Sequence, residues 1–440
     1  MTSGPLVRNI LLFSIPLAAS NLLQVLFNMS DVAVVGRFAG AEALGSVGSC
    51  TTAVTLFTGL LIGMGAAVNA LTARFIGAQD REKTLKCIHT SFMISLVYGF
   101  VIMTLGLCII KGVLELMGTR EELLPGAVTY MMIYLTGTPA MAVYNFGNGV
   151  LSASGDTKRP LNYLTIAGIL NIILNLFFVI VMHMDAAGVA LASSISQYVS
   201  AGLILWRLIT DDDPMVHLHR DELHIDRKLA KSILTLGISA GLQNSIFAIA
   251  NLFIQAAVNS FDTLTVEGNS AAANADALVY DVMAAFYAAG TTFIAQNYGA
   301  GNKKRIKDSY LISMGYAFFI ALIIGTFLFF FGNVFLGLFT TDAAVKAMGM
   351  KRLRIMAFSY CVSAFMDASI AASRGLGKTV VPAIAAVVGS CLFRILWIYT
   401  IFAHYHTIPS LYLLYVFSWS ITACFEIIYF IRVYKSITAK

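Results

Sequence analysis

Twelve apolar stretches long enough to cross a bilayer follow one another along this chain, and they decide what it can fold into. They run at about residues 10–36, 44–76, 85–110, 125–152, 160–183, 187–210, 230–259, 270–298, 308–338, 346–372, 380–403 and 409–434. A hydrocarbon core takes about 20 residues of helix to cross, and it holds no water to satisfy a loose backbone N–H or C=O. Each stretch is therefore predicted as a transmembrane helix, and the chain as an all-α membrane protein. Only 12% of the residues are charged, against about 25% in soluble domains, which excludes an ordinary water-soluble fold.

The connections are short except for the charged segment 211–229, which predicts a lobe over 1–210, a linker, and a lobe over 230–440. Laid side by side at a shift of 222 or 223 residues, the halves match. Ile10 falls on Ile233, Asn21 on Asn244, Asn28 on Asn251, Gly77 on Gly299, Gly155 on Gly377 and Pro160 on Pro382. The basic loops 77–86 and 299–307 also coincide. Six spans is an even number, so both copies start from the same side, and the pseudo-two-fold axis is expected along the membrane normal. Two six-helix lobes related in this way make a transporter's architecture. With loops assigned alternately, 21 Lys and Arg fall on one side and 7 on the other, with Arg394 inside span eleven. The positive-inside rule then places both termini in the cytoplasm, and the basic balance calls for no nucleic-acid partner. The N-terminus leads straight into a long span, so no removable signal peptide is read. The six cysteines lie in or beside apolar segments without metal-ligand spacing, and read as small buried hydrophobes.

Chemistry is sought among the polar groups inside the spans, because an ionisable side chain there costs about 3 kcal/mol or more and marks a functional site by default. Asn21, Gln24, Asn28 and Asp31 share one face of the first span. If Arg37 marks the surface, Asp31 lies ~9 Å below it. Asn171 and Asn175 are i and i+4 in span five, as are Ser193 and Gln197 in span six. Oxygen ligands at this spacing suit a hard cation, but with no fold to unite the spans, interhelical hydrogen bonding is the better explanation of them. Span seven repeats the stripe with Asn244, Asn251, Gln255 and Asn259, yet Ile254 or Gln255 stands where Asp31 would fall. The lobes are thus chemically unequal, and ion binding is expected in the amino-terminal one. Asp276, Asp281 and Asp367 are the carboxy-terminal candidates for substrate charge recognition. Asp281 and Asp367 are alternatively partners for Arg394, and Glu426 reads as structural.

Enzyme signatures are missing: neither a phosphate-binding GxxxxGK[ST] loop nor HExxH occurs. His217, His219 and His224 in the long loop suggest a metal site only weakly, since a solvated loop accounts for them. A channel fits unequal duplicated lobes less well than a rocking transporter does.

Four stretches carry a family resemblance: Asp31-Val-Ala-Val-Val-Gly-Arg-Phe-Ala-Gly-Ala-Glu-Ala-Leu-Gly45, Gly155-Asp-Thr-Lys-Arg-Pro160, Gln296-Asn-Tyr-Gly-Ala-Gly-Asn302 and Arg374-Gly-Leu-Gly-Lys378. In this order the chain resembles bacterial members of the multidrug and toxic compound extrusion (MATE) family. The resemblance implies a V-shaped pair of six-helix lobes in the cytoplasmic membrane. It implies a monomeric antiporter that exports amphipathic organic cations or drugs by alternating access, coupled to H⁺ or Na⁺ and without another cofactor. It also implies that Asp31 is the first-helix acid of a cation or proton site, with Asn171 and Ser193 as its partners. Asn175 stands where many members carry a second Asp, which leaves one carboxylate. Gln24, Asn28, Asn251, Gln255, Asp276, Asp281 and Asp367 are the expected substrate contacts. A related fold that exports lipid-linked saccharides or other amphipathic metabolites is the alternative.

Overall fold

The computed structural model describes residues 1–210 and 213–438; Asp211 and Asp212 of the expected linker, and the terminal Ala439 and Lys440, lie outside the described residues. Among the described residues there is no strand. The helices are α1 (Leu6–Phe38), α2 (Gly40–Gly77), α3 (Arg81–Leu116), α4 (Leu124–Leu135), α5 (Thr138–Ser154), α6 (Lys158–Leu176), α7 (Asp185–Thr210), α8 (Arg227–Val258), α9 (Thr263–Gly299), α10 (Lys303–Leu336), α11 (Ala343–Gly375), α12 (Val380–Tyr405) and α13 (Ile408–Thr438). Eleven of the spans are single membrane-length helices, and α4 with α5 makes the twelfth.

That twelfth span is expected as one helix over 125–152 and is instead broken at Thr136-Gly137. Pro139 has no N–H to give to Leu135 and its ring crowds that carbonyl, so the helix restarts. The freed carbonyls find donors on α7: Ser194 Oγ reaches Ile133 O at 2.9 Å and Tyr198 Oη reaches Thr136 O at 3.0 Å. Thr138 Oγ1 donates to Leu135 O at 2.8 Å. Spans five and eleven also depart from regular α geometry, with five-residue π-turns at Phe177–Val181 and Ile398–Phe402.

The duplication reappears in local backbone geometry. Asp80 caps α3 by accepting from Lys83 N, and Asn302 caps α10 by accepting from Arg305 N, at the same shift of 222. Gln79 and Gly301 both take a positive φ just before those caps, and His183 and His406 do so at the turns into α7 and α13. A repeated cap and a repeated left-handed residue are hard to produce by apolar composition alone.

Two compact units emerge: Ala19–Ser245, and Met1–Ala18 with Ile246–Lys440. These bounds differ from a division at the 211–229 linker, because both α1 and α8 change unit part-way along. In the second unit Leu6, Ile10 and Phe13 of α1 pack with Ala289 and Phe293 of α9, and Arg305 donates to the carbonyls of Met1, Ser3 and Gly4 at 2.9–3.2 Å. In the first unit Ile233 and Leu236 of α8 join the core of Met64, Val68, Val143 and Phe146. Asn244 Nδ2 donates to Gly59 O at 3.3 Å and Ser245 Oγ to Leu56 O at 2.9 Å. Glycine permits this approach, since a Cβ on Gly63 would stand 2.2 Å from Gly241 N.

A side chain at that point must push two backbones apart, whereas one at Gly48 meets nothing within 4 Å. Gly63→Val is expected to cost about 1–3 kcal/mol of overpacking and to lower the melting temperature in detergent, with Gly48→Ala unchanged; size-exclusion after a heat step reads both.

Candidate functional site

The first unit brings three elements together around one carboxylate. Asp31 comes from α1, Asn171 and Asn175 from α6, and Ser193 from α7. Asn175 Nδ2 donates to Asp31 Oδ1 at 2.5 Å and to Asn171 Oδ1 at 3.2 Å. Ser193 Oγ donates to Asp31 Oδ2 at 3.2 Å and accepts from Asn171 Nδ2 at 3.2 Å. The four side chains expected from the family resemblance thus form a closed ring of hydrogen bonds. The i and i+4 spacing of Asn171 and Asn175 puts both amides on the face that meets α1 and α7. One turn earlier, Gly168 leaves room for the Phe27 ring, which a Cβ would strike at 1.8 Å. The π-turn begins two residues after Asn175, a distortion frequent at functional sites.

Both Asn side chains are buried, and Asp31 and Ser193 are half-buried. Among the described residues no Lys, Arg or His lies within ion-pair distance of Asp31, whose hydrogen-bond partners Asn175 and Ser193 are neutral. Asn175 Oδ1 is buried and accepts no hydrogen bond from the described residues. The ring therefore offers carboxylate, amide and hydroxyl oxygens without a protein cation, a donor set that suits a hard monovalent cation or a proton. Among the described residues no group of three His, Cys, Asp or Glu is placed to hold a transition metal.

The other polar stripe residues have different settings. Gln24 and Asn28 are exposed on α1, as are Asn251 and Gln255 on α8, where Gln255 Nε2 donates to Asn259 Oδ1 at 2.9 Å. Asn244 is spent on the Gly59 carbonyl, so the stripe of span seven divides between a structural bond and an exposed face.

In the second unit the acids are unequal. Asp276 pairs with Arg352 and accepts from Tyr360 Oη, while Asn269 accepts from Arg352 and from Tyr412 Oη. A substrate contact at Asp276 would have to compete with this buried guanidinium. Arg352 is 6% exposed, although the sequence reading counts it with the loop cations: its neighbours Lys351 and Arg354 made the run look solvated, and the apolar Met350, Leu353 and Met356 around it were the missed signal. Asp281, about one and a half turns beyond Asp276, is half-buried. Asp367 is half-buried in the field of Arg394 and Arg374. Arg394 itself is 2% exposed and is held by Ser418 Oγ at 3.1 Å, with the rings of Tyr415, Trp419 and Phe247 at 4.6, 5.5 and 5.7 Å. Among the described residues neither Asp367 nor Glu426 forms a salt bridge with Arg394. Glu426 is fully buried, and neither carboxyl oxygen has a hydrogen bond among the described residues.

Comparison with known proteins places the chain in a family. The chain is 29% identical to "Probable multidrug resistance protein YpnP" of Bacillus subtilis, over 82% of its own length and 80% of that protein. It is 27% identical to a FAD transporter of Shewanella oneidensis, over 78% and 77%. The solved structure of a MOP superfamily transporter from Pyrococcus furiosus superposes with a TM-score of 0.92 at 24% identity, over 99% of this chain and 98% of that one. A MATE family multidrug resistance transporter in an outward-facing conformation gives 0.91. The MatE family model matches twice, at residues 16–177 and 239–400, which repeats the internal shift of 223. Those two matches cover well over half of the chain, which therefore belongs to the MatE family of membrane transporters and is not an enzyme.

Proposed function

We propose that this protein is a cation-coupled antiporter of the bacterial cytoplasmic membrane, with both termini in the cytoplasm, that exports amphipathic organic cations or drugs. One observation carries the reading: Asp31 is a carboxylate in a membrane-spanning helix whose hydrogen-bond ring contains no protein cation. Such a charge is stable only when an ion from solution joins it or a proton neutralises it. A ligand that binds one conformation better than another shifts the balance between them. Loading of Asp31 with H⁺ or Na⁺ therefore biases the transporter towards one access state, and release on the other side resets it.

The oxygens available to Na⁺ are those of Asp31, Asn171, Asn175 and Ser193, with Asn175 Oδ1 free to turn towards the ion. A single carboxylate sets one positive charge per cycle at this site. In the second unit Asp281 is the contact for a positive charge, with Asn251 and Gln255 as polar contacts, and in the first unit Gln24 and Asn28 are the polar contacts, each set with neighbouring Met, Tyr and Phe for the amphipathic body. Asp367 is a further contact of this kind, whereas Asp276 acts mainly as the counter-ion of Arg352. The protein works as a monomer in the lipid bilayer.

A second substrate class has support from the 27% identity to the Shewanella oneidensis FAD transporter: an amphipathic anionic metabolite carried by the same coupling. Proteoliposomes loaded with a cationic dye or with FAD distinguish the two.

In that system Asp31→Asn is expected to lower gradient-driven efflux at least about tenfold while leaving the protein folded, because the side chain keeps its shape and loses its charge. Full efflux in this variant would remove the coupling role. Imposing ΔpH and a Na⁺ gradient separately identifies the ion. Asn175→Asp adds a second carboxylate, and the ion dependence of its transport is expected to steepen from a Hill coefficient near one towards two. Asp281→Asn is expected to weaken binding of a cationic dye about 5- to 10-fold, a loss of about 1–1.4 kcal/mol, with a neutral analogue unaffected; fluorescence titration measures both.

A further inference from the structure

The segment between α7 and α8 is docked against the first unit as a strap. Val216 and Leu218 are each 2% exposed and pack in the core with Cys87 and Ile88 of α3. Leu218 N donates to Leu208 O at 2.8 Å, and Arg81 Nε donates to Pro214 O at 3.1 Å. Thr90 Oγ1 accepts from Asp226 N at 3.1 Å and donates to His224 O at 3.4 Å. Asp226 then caps α8 by accepting from Lys228 N and Leu229 N at 2.8 and 2.9 Å.

Between these fastenings lies His89 of α3, 1% exposed, and His219 N donates to its Nε2 at 3.2 Å. An imidazole accepts a hydrogen bond only through an unprotonated nitrogen, whereas the imidazolium carries N–H on both. The docked strap thus requires neutral His89. Three more imidazoles crowd it: the rings of His219 and His224 each lie 6.1 Å from His89, and His217 lies 4.3 Å from His219. The other charges around it are Glu222 on the strap, Lys86 with its partner Glu82 on α3, and Asp226. Glu222 favours an imidazolium but is exposed to solvent, and screening leaves such an attraction weak. Lys86 is already paired. Bonds from Leu229 N and Lys228 N, with help from Lys86, hold the Asp226 carboxyl below the usual carboxylate range, so it stays ionised across the pH window in which histidines titrate.

We propose that His89 is a proton-operated latch: neutral, it holds the strap on α3, and protonated, it releases it. Acid replaces the acceptor at Nε2 with a donor facing the His219 N–H and puts a positive charge in a buried site crowded by three other imidazole rings. Burial holds the His89 imidazole below its ordinary value, so the strap is held at pH 7.5 and is loosened only on the acid side of the ordinary imidazole range. The strap leads directly into α8, so release frees the start of the helix whose first part packs in the same unit as α3.

Amide hydrogen exchange of the full-length protein in nanodiscs tests this, with rates corrected for the intrinsic pH dependence of exchange. Protection of residues 216–219 is expected to fall several-fold, and at most about tenfold, between pH 7.5 and 5.5, while peptides from the middle of α3 hold theirs. His89→Gln keeps an acceptor without titrating, and its strap is expected to stay protected at both pH values. Unchanged protection in the unsubstituted protein overturns the latch, as does a His89→Gln strap that opens with acid as the parent does. If His89→Gln does not fold, a triple His217→Asn, His219→Asn, His224→Asn variant decides: acid release that persists supports His89, and its loss overturns the assignment.

Discussion

A carboxylate inside a membrane protein needs a positive charge, and the first unit does not supply one to Asp31. Two neutral donors, the Asn175 amide and the Ser193 hydroxyl, orient the carboxylate but cannot offset its charge. The remainder of the site follows from that deficit. The amides are placed by the i and i+4 spacing on α6, Gly168 lets the Phe27 ring close against the same helix, and the π-turn follows at once. A ring of neutral partners tightens the geometry, and among the described residues none of them brings a positive charge. A resident Arg or Lys would compensate permanently and take away the reason for an ion to bind.

The second unit shows that alternative. Its guanidinium groups are built in: Arg352 has Asp276 with a phenol and an amide around it, and Arg394 has a serine and three aromatic rings. A buried ion pair of this kind contributes little net stability because desolvation offsets the attraction, yet removing one partner is costly. Duplication has thus produced two copies with the same helical frame, visible in the caps at Asp80 and Asn302 and the left-handed residues before them, but with opposite handling of charge. In the second copy the chain supplies a guanidinium to Asp276, and in the first no described residue supplies a cation to Asp31.

Much of this was legible in the amino-acid order. The spans are set by apolar length, which the hydrocarbon core enforces directly, and Asp31, Asn171, Asn175 and Ser193 stood out as polar groups at helical spacing before any fold united them. What was not legible depends on partners distant in the chain. Arg352 sits between two other cations, and only the carboxylate of Asp276 opposite it makes burial tolerable. The break at Gly137 is announced by Pro139, but that the span survives it depends on hydroxyls from α7. His217, His219 and His224 gave a weak hint of metal binding because the fourth histidine, His89, belongs to a helix far away in sequence and accepts a backbone N–H instead. The unit boundaries fell inside α1 and α8 because hydropathy is blind to which neighbour a helix face chooses.

The crossing of α1 from one unit to the other bears on the order in which the protein is made. Residues 1–18 leave the ribosome long before the surface they pack on, Ala289 and Phe293 of α9 with Arg305 of α10. Domains tend to fold as they emerge, and here the earliest segment has to wait in the bilayer, its apolar face against lipid, until the second half of the chain arrives. The amino-terminal end cannot be seated before α9 and α10 are made, and the Arg305 bonds to three of its carbonyls form only from then on.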